Sequence, residues 1–512
     1  MIHKPTSGEM WDPCVFWHKD AYYLFSMLGG QSMWMASSAD GVHWRPLGPM
    51  IENAPFAVYK MFVGRCRDRF ILDHGSHSGR PGSWNDTLRF WESDDLVHWT
   101  YKGKAFDRRP DQRWYREEGR CDHMYMIPKV EGRLEEGFWG YCVATTNAAQ
   151  PHKALGMLES SDGMDWRWLA PPAFDWGETP QQLMEVGGCE RIGGRYYMIQ
   201  GGRFDYMGHF GYSVFTFTAD NPEGPFQPDL EAYRLCGSSH DLRQLGYRGK
   251  LGEIGVNYLA SFARGNGELL LTNAMISMWQ GTEAVWFAPI RKAVVDRRGH
   301  LRMGYWPGNE ALKGKELPVD LSRCERVHPV KQKDGHVVQA AARRIELRDA
   351  RALFNRHGGG GTIALLDGTF DLGVGLVLEG TLTLRDPSEG EATHRIPVSA
   401  GFYFDEEPGR GKSILLETYG ITRIDRTDFR KGRLSFVRED TTGPGCATVA
   451  GALESRPHRF RLLVRMDMFE MYLDDVLVQS FFISPQSTGR IGFLVEDGVC
   501  LVENVKAWRM SL

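Results

Sequence analysis

Apolar and polar positions alternate with period two along short runs that end in turn residues, which is the pattern of half-buried β-strands. "KDAYYLF" (19–25) and "GGRYYMI" (193–199) are nearly interchangeable, and "RDRFILD" (67–73) and "EEGFWGY" (135–141) are looser copies. A second phrase recurs downstream of such strands as "SADGVHW" (38–44), "SDDLVHW" (93–99) and "SSDGMDW" (160–166), with a degenerate "TADNPEGPF" at 218–226. Each reads as a strand ending in a tight turn: Asp caps the turn, Gly or a small residue bends it, and the aromatic begins the return strand. One strand-turn-strand unit every fifty to seventy residues, without useful helical periodicity, predicts propeller blades. The expected blades span 11–52, 58–105, 118–172, 180–228 and, less regularly, 236–310. A β-sandwich with coincidental turns accounts less well for three copies of one phrase.

After about residue 307 the texture changes. Residues 311–337 are expected as a linker, and "VVQAAARRIELRDARALF" fits a helix or a strand equally. From 338 to 512 alternation returns, with Asp-Asp and Gly turns, as in "FRLLVRMDMFEMYLDDVLVQSFF". That pattern predicts an antiparallel β-sandwich (concanavalin-like) domain. The fold class is therefore all-β: a five-bladed β-propeller over 1–310 followed by a C-terminal β-sandwich.

Composition agrees. In 512 residues there are 59 Gly, 27 Phe and 16 Trp, as glycine turns between aromatic strands require, and the length calls for more than one core. A formal net charge of -4 without basic runs gives no reason to expect nucleic acid or a membrane surface as partner. The nine cysteines are odd in number and scattered, which suits reduced, packed thiols. With no eighteen-residue apolar run and no leader pattern in residues 1–10, a cytoplasmic location is expected. Oligomeric state is not legible.

Candidate chemistry follows from the fold. Carboxylates at the starts of inner blade strands converge on a propeller axis. Asp12 in "WDPCVFW", Asp122 in "RCDHMYM" and Glu185 in "MEVGGCERIGGRYYMI" occupy such starts. The distances from Asp12 to Tyr22 and from Glu185 to Tyr196 differ by one residue, so an acid precedes the same aromatic strand in blades one and four. Any one of these acids alone reads equally as a turn residue. Carboxylates facing each other across a pocket are the minimum equipment of glycoside hydrolysis: one donates a proton to the leaving oxygen, the other activates water or attacks carbon. Glu190 is a rival acid on the same strand.

These segments resemble the five-bladed propeller glycoside hydrolases of families 43 and 32. "WDPCVFWHKDAYYLF", "RCDHMYM" and "MEVGGCERIGGRYYMI" stand where family 43 enzymes carry their three acids, and the C-terminal sandwich looks more like that of family 32. The family 32 motifs Asn-Asp-Pro-Asn and Glu-Cys-Pro are absent, so the resemblance is to a remote member. It implies Glu185 as general acid, Asp12 as base or nucleophile, and Asp122 as the residue that orients Glu185 and tunes its pKa, or that binds sugar hydroxyls. The implied substrate is an oligosaccharide or glycoside of arabinofuranose, xylose or fructofuranose. Candidate substrate-binding residues are Trp11, Trp84, Asn85, Asp86, Arg120, Arg203 and His240. No cofactor is expected beyond a structural cation on the axis near His240, and no metal-ligand motif is present. The alternatives are a propeller glycoside phosphorylase, with Arg120, Arg203 and His240 for phosphate, a carbohydrate-binding propeller without turnover, and a lectin-like role of the sandwich.

Overall fold

The computed structural model describes residues 1–5, 10–29, 31–77, 85–147, 155–177, 182–206, 209–236, 257–327, 336–349, 361–386, 397–430, 435–443 and 445–512. Among them the chain is all-β, apart from short 3-10 turns. Four four-stranded antiparallel sheets follow one another, each in the order of the chain. Their inner strands are Trp11–His18, Met61–Cys66, Cys121–Val130 and Gln182–Ile192, and a fifth, Asn257–Gly265, opens blade five. Each inner strand packs against the next and the fifth returns to the first, which closes a ring. The N-terminal segment seals it, because His3 bridges Phe287 of blade five, with Phe287 N donating to His3 O at 2.7 Å.

The recurring phrase has a local cause. Ser38 Oγ accepts from Gly41 N at 2.8 Å, and Asp40 Oδ1 accepts from Val42 N and His43 N at 2.9 and 2.8 Å. Ser93 with Asp95 and Ser160 with Asp162 repeat the arrangement. The third residue after the Ser needs a left-handed backbone: Gly41 and Gly163 both have φ of 74°, and blade two holds Leu96 there at φ 69°. Two of the three closing tryptophans tie back, Trp99 Nε1 donating to Leu96 O and Trp166 Nε1 to Gly163 O. So Ser and Asp share the capping, where the sequence pattern pointed to Asp alone.

The C-terminal region is a two-sheet sandwich. One sheet contains Leu376–Arg385, His458–Arg465, Met468–Leu473, Val476–Phe482 and Val499–Met510, and the other is built around Ser399–Glu407, Arg410–Glu417 and Ile491–Glu496. Of the ambiguous run 337–354, the part up to residue 349 belongs to the strand pair His336–Ala341 and Arg344–Asp349, and the remainder lies outside the described residues. Within the stretch expected as linker, Lys313–Leu317 pairs with Val499–Met510 and Glu325–Val327 with Thr362–Leu365. These residues therefore belong to the sandwich sheets: their backbone groups find partners there instead of water.

Propeller and sandwich meet through buried polar groups. Arg291 of blade five and Glu470 of the sandwich form an ion pair with both side chains fully buried, and Arg291 also contacts Asn273. Beside them Asp467 accepts from Ser277 Oγ at 2.5 Å and Met278 N at 2.7 Å. Breaking one half of such a pair leaves a buried charge without a partner. Glu470→Gln is expected to destabilise the protein by about 3–5 kcal/mol, measured by chemical denaturation against wild type; a loss below about 1 kcal/mol would show that the pair is dispensable.

Candidate active site

All five inner strands enter the axis from one end, and their first residues meet there. Asp12 begins blade one at a bulge: its φ is 51°, and the register with the second strand slips between Trp11 and Cys14. The residue before a proline resists the helical region, and the left-handed turn here swings the carboxylate out of the pleat toward the axis. One of its oxygens, Oδ1, is buried without a hydrogen-bond partner. Asp122, the second residue of the inner strand of blade three, is 1% exposed, and Glu185 of blade four is 8% exposed.

The Arg120 guanidinium joins two of these acids. Its Nη2 donates to Asp122 Oδ2 at 2.7 Å and to both oxygens of Glu185 at 2.9 and 3.0 Å. Asn85 Nδ2 donates to the same Asp122 oxygen at 2.9 Å, and His123 N to the other at 2.9 Å. Glycine is required at position 75 because a Cβ there would come within 1.7 Å of Asp122 Oδ1. Burial works to raise the pKa of Asp122, but Arg120 and His123 overcome it and hold the carboxyl well below the usual range. Burial likewise opposes the charge on Arg120, while Glu185 and Asp122 keep it firmly protonated. Asp12 goes the other way: burial, then the charges of Glu185 and Asp122, push it up to about 6 against the pull of Lys60. The site thus separates its carboxyls into one held ionised and one poised near neutrality.

An aromatic wall flanks Asp12. Trp11 meets Tyr258 edge-on with ring centroids 5.4 Å apart, and Tyr258 stacks on Tyr212 at 5.2 Å. Burial, and then Glu185 and Asp12, raise both tyrosine pKa values, so both hydroxyls stay protonated. Asp122, His123 and Glu185 offer ligand atoms within 4.8 Å of one another, as a cation would need. The position between Asp122 and Glu185 is filled by the guanidinium, so this donor set as arranged does not fit a metal.

The other sequence candidates divide. Trp11, Asn85 and Arg120 join the three acids. Asp86 is buried, its Oδ1 accepting from Thr87 Oγ1 at 3.0 Å and its backbone bridging Cys121, which reads as a link between blades two and three. Arg203 sits on the strand Arg195–Tyr206, and its side chain lies outside the described residues, as do Trp84 and His240 altogether. Glu190 is removed from the cluster. It accepts from Tyr125 Oη at 2.7 Å and pairs with Arg264, whose residue lines a cavity of about 310 Å3 at the opposite end of the axis with Trp17, Phe62 and Phe262. Sequence reasoning missed Lys60, Tyr212, Tyr258 and Gly75. The one signal for Lys60 was a lysine directly before an apolar inner strand.

No protein-family model matches the sequence, and no curated protein matches it. Solved structures do match over 99% of the chain. The Bombyx mori family 32 β-fructofuranosidase superposes with a TM-score of 0.58 at 14% identity over 92% of its length. The sucrose-6-phosphate hydrolase of Lactobacillus gasseri gives 0.60 at 15% over 92%, and the exo-inulinase of Aspergillus awamori 0.58 at 11% over 97%. At these identities the likeness is one of fold, and it covers propeller and sandwich together. The chain carries the five-bladed propeller and β-sandwich fold of the family 32 glycoside hydrolases, matched over 99% of its length.

Proposed function

We propose that the protein is a glycoside hydrolase acting on furanosides or pentosides, with arabinofuranosides, xylosides and fructofuranosides as the candidate substrates. The observation that carries this reading is that Asp122 and Glu185, from two blades, share the Arg120 guanidinium, and that the charges of both act on the buried carboxyl of Asp12 from a third blade. Glu185 is the general acid: one of its oxygens releases Arg120 and takes up a proton from solvent, which passes to the leaving-group oxygen as the glycosidic bond breaks, while its other oxygen and Asp122 stay bonded to the guanidinium. Asp12, at the mouth of blade one, is the base that activates water or the nucleophile that attacks the anomeric carbon. Asp122 orients the acid through Arg120 and does not itself exchange protons, because its carboxyl is held far below neutrality. Trp11 stacks on a sugar face. The phosphorylase reading needs cations for phosphate: Arg120 is held by two carboxylates, and the side chain of Arg203 and all of His240 lie outside the described residues.

A panel of nitrophenyl glycosides (α-arabinofuranoside, β-xyloside, β-galactofuranoside) with sucrose and fructans tests the activity. For the substrate turned over, Glu185→Gln and Asp12→Asn are each expected to lower kcat by about 10²–10⁴-fold. An unaltered rate in Glu185→Gln would sink the assignment of the acid.

The pH profile gives a second test. Asp12 acts ionised and its carboxyl titrates at about 6, so kcat/KM is expected to fall as pH drops through about 6. An acid limb that stays near pH 4 would mean that another group carries the base.

A further inference from the structure

Lys60 precedes the inner strand of blade two, is 2% exposed, and belongs to no role assigned above. Its side chain crosses from blade two to blade five, where Nζ donates to Ser261 Oγ at 2.9 Å. In the ring, blade one lies between those two blades, so the lysine spans the axis at the start of the strand that carries Asp12. Its ammonium is the strongest positive charge acting on Asp12, and Asp12, Glu185, Cys14 and Asp122 are the groups that act on it in return. Its Nζ also lies 5.1 Å from the ring of Phe62, which packs edge-on against His123 and Tyr125.

An ammonium has three N–H donors, and among the described residues Ser261 takes one. Two other polar atoms of the site are buried without a partner, one on Asp12 and one on a tyrosine that Glu185 and Asp12 act on. These are Asp12 Oδ1 and the hydroxyl of Tyr212, which lies over Gly201, the strand partner of Glu185. Buried polar groups are rarely left unpaired, and donors next to an acceptor and a hydroxyl are what a sugar with several hydroxyls satisfies. Charge balance says which sugar. Asp12, Asp122 and Glu185 stand against Arg120 and Lys60, so once the acid holds its proton the cluster sums to zero. Among the described residues, these groups leave no surplus positive charge for an anionic group.

We propose that Lys60 is a substrate-binding residue that donates to a hydroxyl of a neutral glycosyl unit lying between Asp12 and Tyr212, so that the pocket takes neutral sugars and rejects uronates and phosphorylated sugars in that position. This rests on the hydrolase reading but is tested by binding, so the two fail separately.

The experiment is calorimetric titration of wild type, Lys60→Met and Ser261→Ala with arabinose, xylose and fructose, and with glucuronate, galacturonate and fructose 6-phosphate. Wild type is expected to bind at least one neutral sugar and none of the anions. Lys60→Met is expected to weaken that binding at least tenfold with its melting temperature retained. Ser261→Ala, which removes the acceptor that aims the ammonium, is expected to weaken it at least twofold and carries the test if Lys60→Met does not fold. Binding unchanged in either folded variant, an anionic sugar bound as well as the neutral one, or no neutral sugar bound at all would overturn the proposal. Hydrolysis together with unchanged Lys60→Met binding refutes the lysine alone. Lys60-dependent binding without turnover of any glycoside refutes the hydrolase alone.

Discussion

Five strands that enter one axis from the same end bring their first residues together, and three of those residues here are acids. Carboxylates that close repel, and burial removes the water that would screen them. The Arg120 guanidinium makes the meeting tolerable. By donating to Asp122 and Glu185 at once it fixes the spacing of blades three and four at the axis. Asp122 in turn occupies space that only a glycine at position 75 leaves open, which ties blade two to the same point. A charge network of this kind contributes modest net stability, but removing one member leaves the others buried and uncompensated.

The same economy recurs at the junction with the sandwich, where Arg291 and Glu470 are both fully buried and Asp467 is held by Ser277 and the backbone of Met278. Apolar contacts supply most of the attraction across that boundary, while the directional bonds set how blade five sits against the sandwich. An unmatched register would strand the charges. The pieces are therefore held in one arrangement, and the axis site inherits that rigidity through the inner strand of blade five, which carries Tyr258 and Ser261.

The legible part of the site was the part written at strand starts. Asp12, Asp122 and Glu185 precede or open recognisable aromatic strands, so their convergence follows once blades are expected. The choice between Glu185 and Glu190 was not legible. Both lie on the strand Gln182–Ile192, and two bulges, between Leu183 and Glu185 and between Val186 and Gly188, shift the alternation that would have told them apart. Lys60 was illegible for a different reason: the group that aims it, Ser261, is 201 positions away. A lysine beside an apolar strand reads as an exposed edge until the ring is closed around it.

The blade turns could be read directly, because Ser38 and Asp40, like Ser93 and Asp95, bond backbone groups no more than three residues away. Interactions that short are encoded by neighbouring residues and survive whatever the rest of the chain does. Strand alternation, being equally local, announced propeller and sandwich in the same way. The identity of the residues that share the axis belongs to another scale. Asn85 reaches Asp122 across 37 positions, Arg120 reaches Glu185 across 65, and Lys60 reaches Ser261 across 201. No neighbouring residue records those distances; they exist only when the fifth inner strand returns to the first and burial forces each polar group to find what the closed ring places beside it.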